Sequence, residues 1–167
     1  MTLDELNQMD ERAFTAALGG IYEHSPWVAA GAAAGRPYAS VGALATAMAS
    51  VVASAGEVRQ LALIRAHPEL AGKAMVKKEL TADSTGEQAG AGLTSCSPAE
   101  FARLNELNDR YNARFGFPFI LAVKGFDRAG VIAEFARRVE QDRATEFAES
   151  LRQIERIARL RLAALLS

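Results

Sequence analysis

The chain has 167 residues, one domain's worth, of which half are hydrophobic and 23% charged, a composition that excludes intrinsic disorder. Nineteen Lys and Arg against 20 Asp and Glu leave a net charge of −1, so no global positive field exists to hold nucleic acid or an anionic membrane. The single cysteine, Cys96, excludes an internal disulfide and a cysteine-rich metal site, and it suits a reducing compartment.

With 34 alanines and five prolines the expected fold is all-α, a compact single-domain helical bundle over residues 1–167. Met1-Thr2-Leu3-Asp4-Glu5 carries acids where a secretory leader would be basic, so no signal peptide is expected. Thr2 and Glu5 have capping-box spacing for a first helix, and Asp10 caps a second that runs to Leu18 before Gly19-Gly20. Ser25-Pro26-Trp27 reads as cap, first helical residue and core, and Gly35-Arg36-Pro37 as a break. Ser40 caps a helix over 41–55, which Gly56 separates from another over 57–66. The stretch from Pro37 to Gly56 has no charge, but its Ala, Ser, Thr and Gly predict a buried, close-packed soluble helix rather than a membrane span. Pro68, just past His67, marks a boundary. The mixed segment 76–93 holds a short helix starting near Ser84.

Ser97-Pro98-Ala99-Glu100 is a strong helix start, and Phe101, Leu104, Leu107 or Asn108, and Tyr111 follow at helical spacing until Phe115-Gly116. The apolar run 117–123, between Gly116 and Gly125, predicts an extended buried connector or a single strand. Helices over 128–141 and 145–166 complete the chain, with no repeat and no linker to divide it.

Four features suggest chemistry. His67 follows the apolar helix 58–66 and precedes Pro68, at a helix C-terminus whose carbonyls favour imidazolium; it suits a proton donor, or else it caps its own helix. His24 reads as a surface or interface residue, and the two histidines lack metal-ligand spacing. Ser84-Thr85-Gly86-Glu87 has capping-box spacing, yet with Gln88 it also offers hydroxyls, an amide, a carboxylate and backbone N–H groups to a polar or anionic ligand. In the last helix Phe147, Leu151, Ile154, Ala158, Arg161 and Leu165 form one apolar stripe, while Arg152, Glu155, Arg156 and Arg159 lie off it. Arg161 therefore points inward and needs an anion, either an internal acid or a substrate carboxylate, unless it snorkels near the chain end. The non-helical 119–123 backbone must place its amides and carbonyls on another loop or on the ureide and amide edges of a planar heterocycle. No Walker loop, Gly-x-Gly-x-x-Gly fingerprint or Gly-x-Ser-x-Gly elbow is present, and Cys96 has no activating neighbour.

Together these residues resemble the 2-oxo-4-hydroxy-4-carboxy-5-ureidoimidazoline (OHCU) decarboxylase family. The match runs through Ser25-Pro26-Trp27, His67-Pro68-Glu69-Leu70, Ser84-x-x-Glu87-Gln88 with Ala91-Gly92-Leu93, and Leu104-Asn105 to Tyr111. It continues in Arg114-Phe115-Gly116-Phe117-Pro118-Phe119-Ile120 and the segment from Glu155 to Arg161. The Phe-Gly-Phe-Pro-Phe-Ile run and the His-Pro-acid-Leu motif are specific in combination.

The resemblance implies an all-helical homodimer that converts OHCU to (S)-allantoin, the last step of urate-to-allantoin degradation, with no metal and no cofactor. By the same resemblance His67 is the catalytic proton donor, Glu87 its acidic partner and Arg161 the carboxylate-binding arginine. Pro68, Ser84, Thr85, Gly86, Glu87, Gln88, Phe119, Ile120, Leu121, Ala122 and Val123 match the substrate-binding positions. Glu69 stands where aspartate is common, and the chain ends Leu165-Leu166-Ser167 without a Ser-Lys-Leu-type tail, which implies a cytoplasmic enzyme. Its expected partner is the small-molecule substrate, with no nucleic acid and no membrane. On the residues alone two other readings stay open: an enzyme on the same scaffold acting on another ureide, and a non-catalytic helical interaction module.

Overall fold

The computed structural model describes residues 1–72, 75 and 78–167. Among these residues every regular element is helical; Val76 and Lys77, at the start of the mixed segment, lie outside them. The chain forms two compact units, Met1–Ala66 with Ile154–Ser167, and His67–Gln153.

The first unit holds α1 (Leu3–Gln8), α2 (Glu11–Leu18), α3 (Pro26–Ala32), α4 (Val41–Ala53), α5 (Glu57–Ala66) and the last turns of α9 (Arg143–Leu165). Thr2 and Glu5 close the expected capping box, and Asp10 and Ser40 each accept a backbone N–H at their helix starts. Ser25 departs from expectation: it makes no side-chain cap, because its Oγ donates to the Glu23 carbonyl at 2.8 Å. Phe14, Val28, Leu44, Met48, Leu63 and Ile64 form the core, each burial contributing roughly 1.5–3 kcal/mol.

The uncharged α4 packs on α3 where Gly31 meets Val51; a Cβ at Gly31 would lie 2.6 Å from Val51 Cγ1. Only one face of α4 is buried, through Leu44, Ala45, Met48 and Val52, while Thr46, Ser50 and Ala53 are exposed. It ends at Ala53, two residues short of the expected 55. Val58, placed on an apolar helix by the sequence, is 85% exposed. No single helix among the described residues is long and apolar enough to cross a membrane. The pair α4 and α5 reaches that composition only jointly and is bent by 116°.

The second unit holds α6 (Ala82–Gly90), α7 (Pro98–Phe115), α8 (Arg128–Arg138) and the first part of α9. The Ser97–Glu100 capping box and Pro98 start α7, and Gly116 at φ +76° ends it in the left-handed conformation that lacks a Cβ penalty. The buried face of α7 carries Leu104, Leu107, Asn108, Tyr111 and Phe115. Around the Tyr111 ring stand Phe115, Phe117, Phe119 and Phe135, with centroids 4.5–5.9 Å away in tilted and edge-on arrangements.

The helix expected over 128–141 ends at Arg138, and the Gln141 carbonyl beyond it accepts two N–H groups of Arg114 at 3.0 and 3.2 Å. The next helix starts at Arg143, two residues early, because Asp142 caps it through the Thr145 N–H at 2.8 Å. The run 117–123 is the connector of the two alternatives: it is buried and joins no strand ladder.

Candidate functional site

In the second unit His67 and Pro68 open the segment 67–72, which bonds to α6 and α7. Burial of Ile64 and Leu63 fixes the end of α5 at Ala66, and His67 follows it with 7% exposure. Gln88 ties the loop to α6 from both ends of its amide: Oε1 accepts from the Ala71 N–H at 2.9 Å and Nε2 donates to the Glu69 carbonyl at 3.2 Å. From α7, Asn108 Nδ2 donates to the Leu70 carbonyl at 2.9 Å, and Asn112 Nδ2 to Glu69 Oε1 at 2.6 Å. These four bonds satisfy a loop that has little regular structure of its own, and Ala71 sits at φ +50° within it. The structure thus brings the His67-Pro68-Glu69-Leu70 and 84–88 motifs together through Gln88.

The helix start expected at Ser84 lies at Ala82. Thr81 is the N-cap and its Oγ1 accepts from the Ser84 N–H at 3.2 Å, so the hydroxyl three residues upstream takes the role assigned to Ser84. The Thr85 N–H bonds to the Thr81 carbonyl at 2.9 Å. The amides of Ser84 and Thr85 are therefore used by the helix rather than offered as a cradle. Helical phase also divides the five residues: Ser84 and Gln88 are buried, Thr85 and Gly86 exposed and Glu87 half-buried.

Phe119, Ile120, Leu121, Ala122 and Val123 are all at most 5% exposed. Arg138 Nη1 donates to the Ile120 carbonyl at 2.6 Å, the Ala122 N–H donates to Gln153 Oε1 at 3.0 Å, and the Phe126 N–H to the Val123 carbonyl at 2.9 Å. The N–H groups of Phe119, Ile120, Leu121 and Val123 have no acceptor among the described residues. Buried amides are paired in more than 90% of cases, so four in one short run suit a segment that meets a polar ligand or water.

Arg161 belongs to the first unit and, as the stripe predicts, points inward with 7% exposure. Its Nη1 lies 2.7 Å from Glu23 Oε2 and 3.4 Å from the Gly20 and Ile21 carbonyls. Of the two anions the sequence allowed, the structure supplies an internal acid. The stripe itself is rotated at its start: Glu146 and Ser150 are buried, whereas Phe147, Leu151 and Leu165 are half-buried. Arg152, Arg156 and Arg159 are exposed, as expected.

Sequence reasoning missed Glu23 and the Arg138–Glu146 pair. Arg138 is 0% exposed; its Nε donates to Glu146 Oε1 at 2.9 Å, and the Tyr111 hydroxyl donates to the same oxygen at 2.6 Å. Burial first, then the Glu146 carboxylate, pushes the Tyr111 hydroxyl well above the usual phenol range, which keeps it a donor. The missed signal was available: Val131, Phe135 and Arg138 fall at 4, 3 spacing, the same stripe logic that found Arg161. The His24 side chain is 67% exposed. Burial, then Glu100, pushes the Cys96 thiol up, so it is no ready nucleophile. No group of three His, Cys, Asp or Glu side chains gathers as metal ligands among the described residues.

The chain matches the family model described as OHCU decarboxylase over residues 7–163. It is 43% identical to the 2-oxo-4-hydroxy-4-carboxy-5-ureidoimidazoline decarboxylase of Haloferax volcanii, over 98% of this chain and 95% of that one. It is 44% identical to the uric acid degradation bifunctional protein PucL of Bacillus subtilis, over 97% of this chain but 32% of that one. A crystal structure of (S)-allantoin synthase has the same fold, with a TM-score of 0.81 at 30% identity over 99% of this chain and 54% of that one.

Proposed function

The chain belongs to the OHCU decarboxylase family, and on that premise we propose that it decarboxylates OHCU to (S)-allantoin, closing the conversion of urate to allantoin. The near-complete match to a decarboxylase at 43% identity carries the reading.

The substrate's chemistry sets what the protein has to do. OHCU bears its carboxylate on the carbon next to a ring C=N. When the C–C bond to the carboxylate breaks, its electron pair moves into that unsaturated system and CO₂ leaves. The substrate is its own electron sink, so the reaction is proposed to need no organic cofactor and no metal. The protein must hold the carboxylate, manage the proton of the neighbouring hydroxyl and deliver a proton to one face.

In this proposal Arg161 grips the carboxylate, for which its planar fork suits it, while Glu23 fixes the guanidinium at 2.7 Å. His67 and Glu87 serve as general acid–base groups, worth about 10²–10⁴-fold. The Gln88 bonds to the Glu69 and Ala71 backbone support these roles by linking the loop that carries His67 to the helix that carries Glu87. Pro68, the 84–88 segment and 119–123 contact the substrate, and the unpaired amides of the connector favour its share. Residues 1–167 act as one family domain, in a cytoplasmic homodimer. Light scattering tests the dimer against the 17.9 kDa protomer.

The deciding experiment adds the protein to freshly generated OHCU and follows circular dichroism. A fast rise of the (S)-allantoin signal over the slow racemic background is expected. No acceleration would leave the interaction-module reading in its place, and turnover of a different ureide alone would leave the other-substrate reading.

A further inference from the structure

We propose that Arg138 and Gln153 are positioning residues. They hold one edge of the connector, so that the opposite edge, centred on the N–H and C=O of Leu121, reads the amide or ureide edge of the ligand. The proposal rests on the functional reading above and adds how binding by 119–123 is achieved.

Between Pro118 and Val123 the chain makes no helix, turn or bend. In extended backbone a residue's N–H and C=O face the same edge, which is why paired residues in a ladder exchange both bonds, and successive residues face opposite edges. On that geometry the Ile120 carbonyl and the Ala122 N–H, two residues apart, would share an edge. Both are taken by side chains, from α8 and α9 respectively. Leu121 lies between them on the other edge, 5% exposed, and neither its N–H nor its C=O has a partner among the described residues. A donor beside an acceptor is what an added strand would pair with. A ureide offers the complementary acceptor and donor in one plane.

The clamp is stiff. Glu146 fixes the Arg138 guanidinium and also accepts from Tyr111. The guanidinium carbon stands 4.5 Å over the Phe119 ring, which stacks on Phe135 at 3.9 Å and 9°. Gln153 is held by Glu149, to which its Nε2 donates at 2.8 Å. Because side chains hold the first edge, nothing has to leave the Leu121 edge for a ligand to bind.

The test measures OHCU turnover and allantoin inhibition for four variants, with thermal melting of each. Gln153→Met keeps the length but loses the acceptor, and Arg138→Lys keeps the charge beside Glu146 but loses the fork. Each should raise both the KM for OHCU and the inhibition constant of allantoin about fivefold, with kcat changed less than twofold. Tyr111→Phe keeps the ring against Phe119 but removes the hydroxyl that bonds Glu146, leaves the two bonds to the connector backbone in place, and should lower the Tm while leaving both constants alone. Glu149→Gln combined with Gln153→Glu returns an acceptor to the Ala122 N–H and should restore KM to within twofold of wild type. Unchanged constants in Gln153→Met, or an equal rise in Tyr111→Phe, overturn the proposal. Gln153 is half-buried and decides the matter alone if Arg138→Lys does not fold. Wild-type protein that turns over no OHCU overturns the functional reading itself, whereas active wild type with unmoved variants overturns only the clamp.

Discussion

Each unit buries one arginine against one glutamate, and the two pairs do different things. Arg138 and Glu146 are 0% and 1% exposed in the second unit; Arg161 and Glu23 are 5% and 1% exposed in the first. Both arginines sit on apolar helix stripes, and both contacts are short, 2.9 and 2.7 Å. What separates them is the rest of the guanidinium's surroundings. Arg138 lies over an aromatic ring and donates to a backbone carbonyl at 2.6 Å, so it shapes the chain around it. Arg161 Nη1 meets the Gly20 and Ile21 carbonyls at 3.4 Å besides Glu23 at 2.7 Å, so these contacts lie on the 20–23 segment. A buried arginine is therefore no site by itself; what its guanidinium meets decides what it does.

The largest expected effect breaks the Arg138 side of the comparison. Arg138→Leu leaves Glu146 charged and uncompensated in a dry site, which should cost about 3–5 kcal/mol in urea unfolding. The pair is not fully satisfied even now: Arg138 Nη2 and Glu146 Oε2 have no hydrogen-bond partner among the described residues. Combining Arg138→Met with Glu146→Leu should therefore recover most of the loss. The double variant should nonetheless keep a raised KM, because the Ile120 carbonyl has lost its donor. A double variant no more stable than Arg138→Leu would show that the pair itself, not the stranded charge, sets the stability.

A group that serves chemistry rather than architecture should show the opposite pattern. His67→Asn removes the titratable ring at similar size, and should lower kcat about 10²-fold or more while leaving the Tm within a few degrees. The loop that carries it is held by Gln88, Asn108 and Asn112, none of which bonds through the imidazole in doing so. Near-wild-type turnover in His67→Asn would return His67 to the role of a helix cap.

The contrast also explains what could be read in advance. Helix starts were legible where a cap and its third residue stand alone, as at Thr2–Glu5, Asp10 and Ser97–Glu100. At α6 two hydroxyls stand three residues apart, Thr81 and Ser84, and spacing alone cannot choose between them. Burial of Ser84 with Gln88 makes the choice, and burial is a tertiary fact. Arg161 was legible as an inward arginine because a stripe is local. Its partner Glu23 is 138 residues away, so which acid meets it is invisible to periodicity. Arg138 was legible by the same rule, since Val131, Phe135 and Arg138 share a stripe, although the helix ends there rather than at the expected 141. The connector was legible as buried and non-helical; which of its backbone groups are held, and by which side chains, depends on α8 and α9 arriving from later in the chain.

The smallest effects sharpen the Arg161 side. Arg161 and Arg159 are two residues apart on α9 and differ in almost everything else. Arg161 is buried beside Glu23, whereas the Arg159 side chain is 43% exposed and pairs with Glu155 at 2.8 Å one turn away. An exposed pair at that spacing contributes about 0.3–0.5 kcal/mol, and lysine replaces arginine in it with little change. Arg159→Lys should therefore alter kcat/KM less than twofold. Arg161→Lys keeps a charge for Glu23, so the fold should survive, but lysine cannot grip a carboxylate with two parallel bonds. A loss of about tenfold in kcat/KM for OHCU is expected, corresponding to about 1.4 kcal/mol. Allantoin lacks the carboxylate, so its inhibition constant should stay within twofold in Arg161→Lys while rising in Gln153→Met. That crossed pattern separates an arginine that reads the carboxylate from a side chain that orders the ureide edge. Equal losses from Arg159→Lys and Arg161→Lys would mean that Arg161 only balances Glu23, and that the carboxylate is held elsewhere.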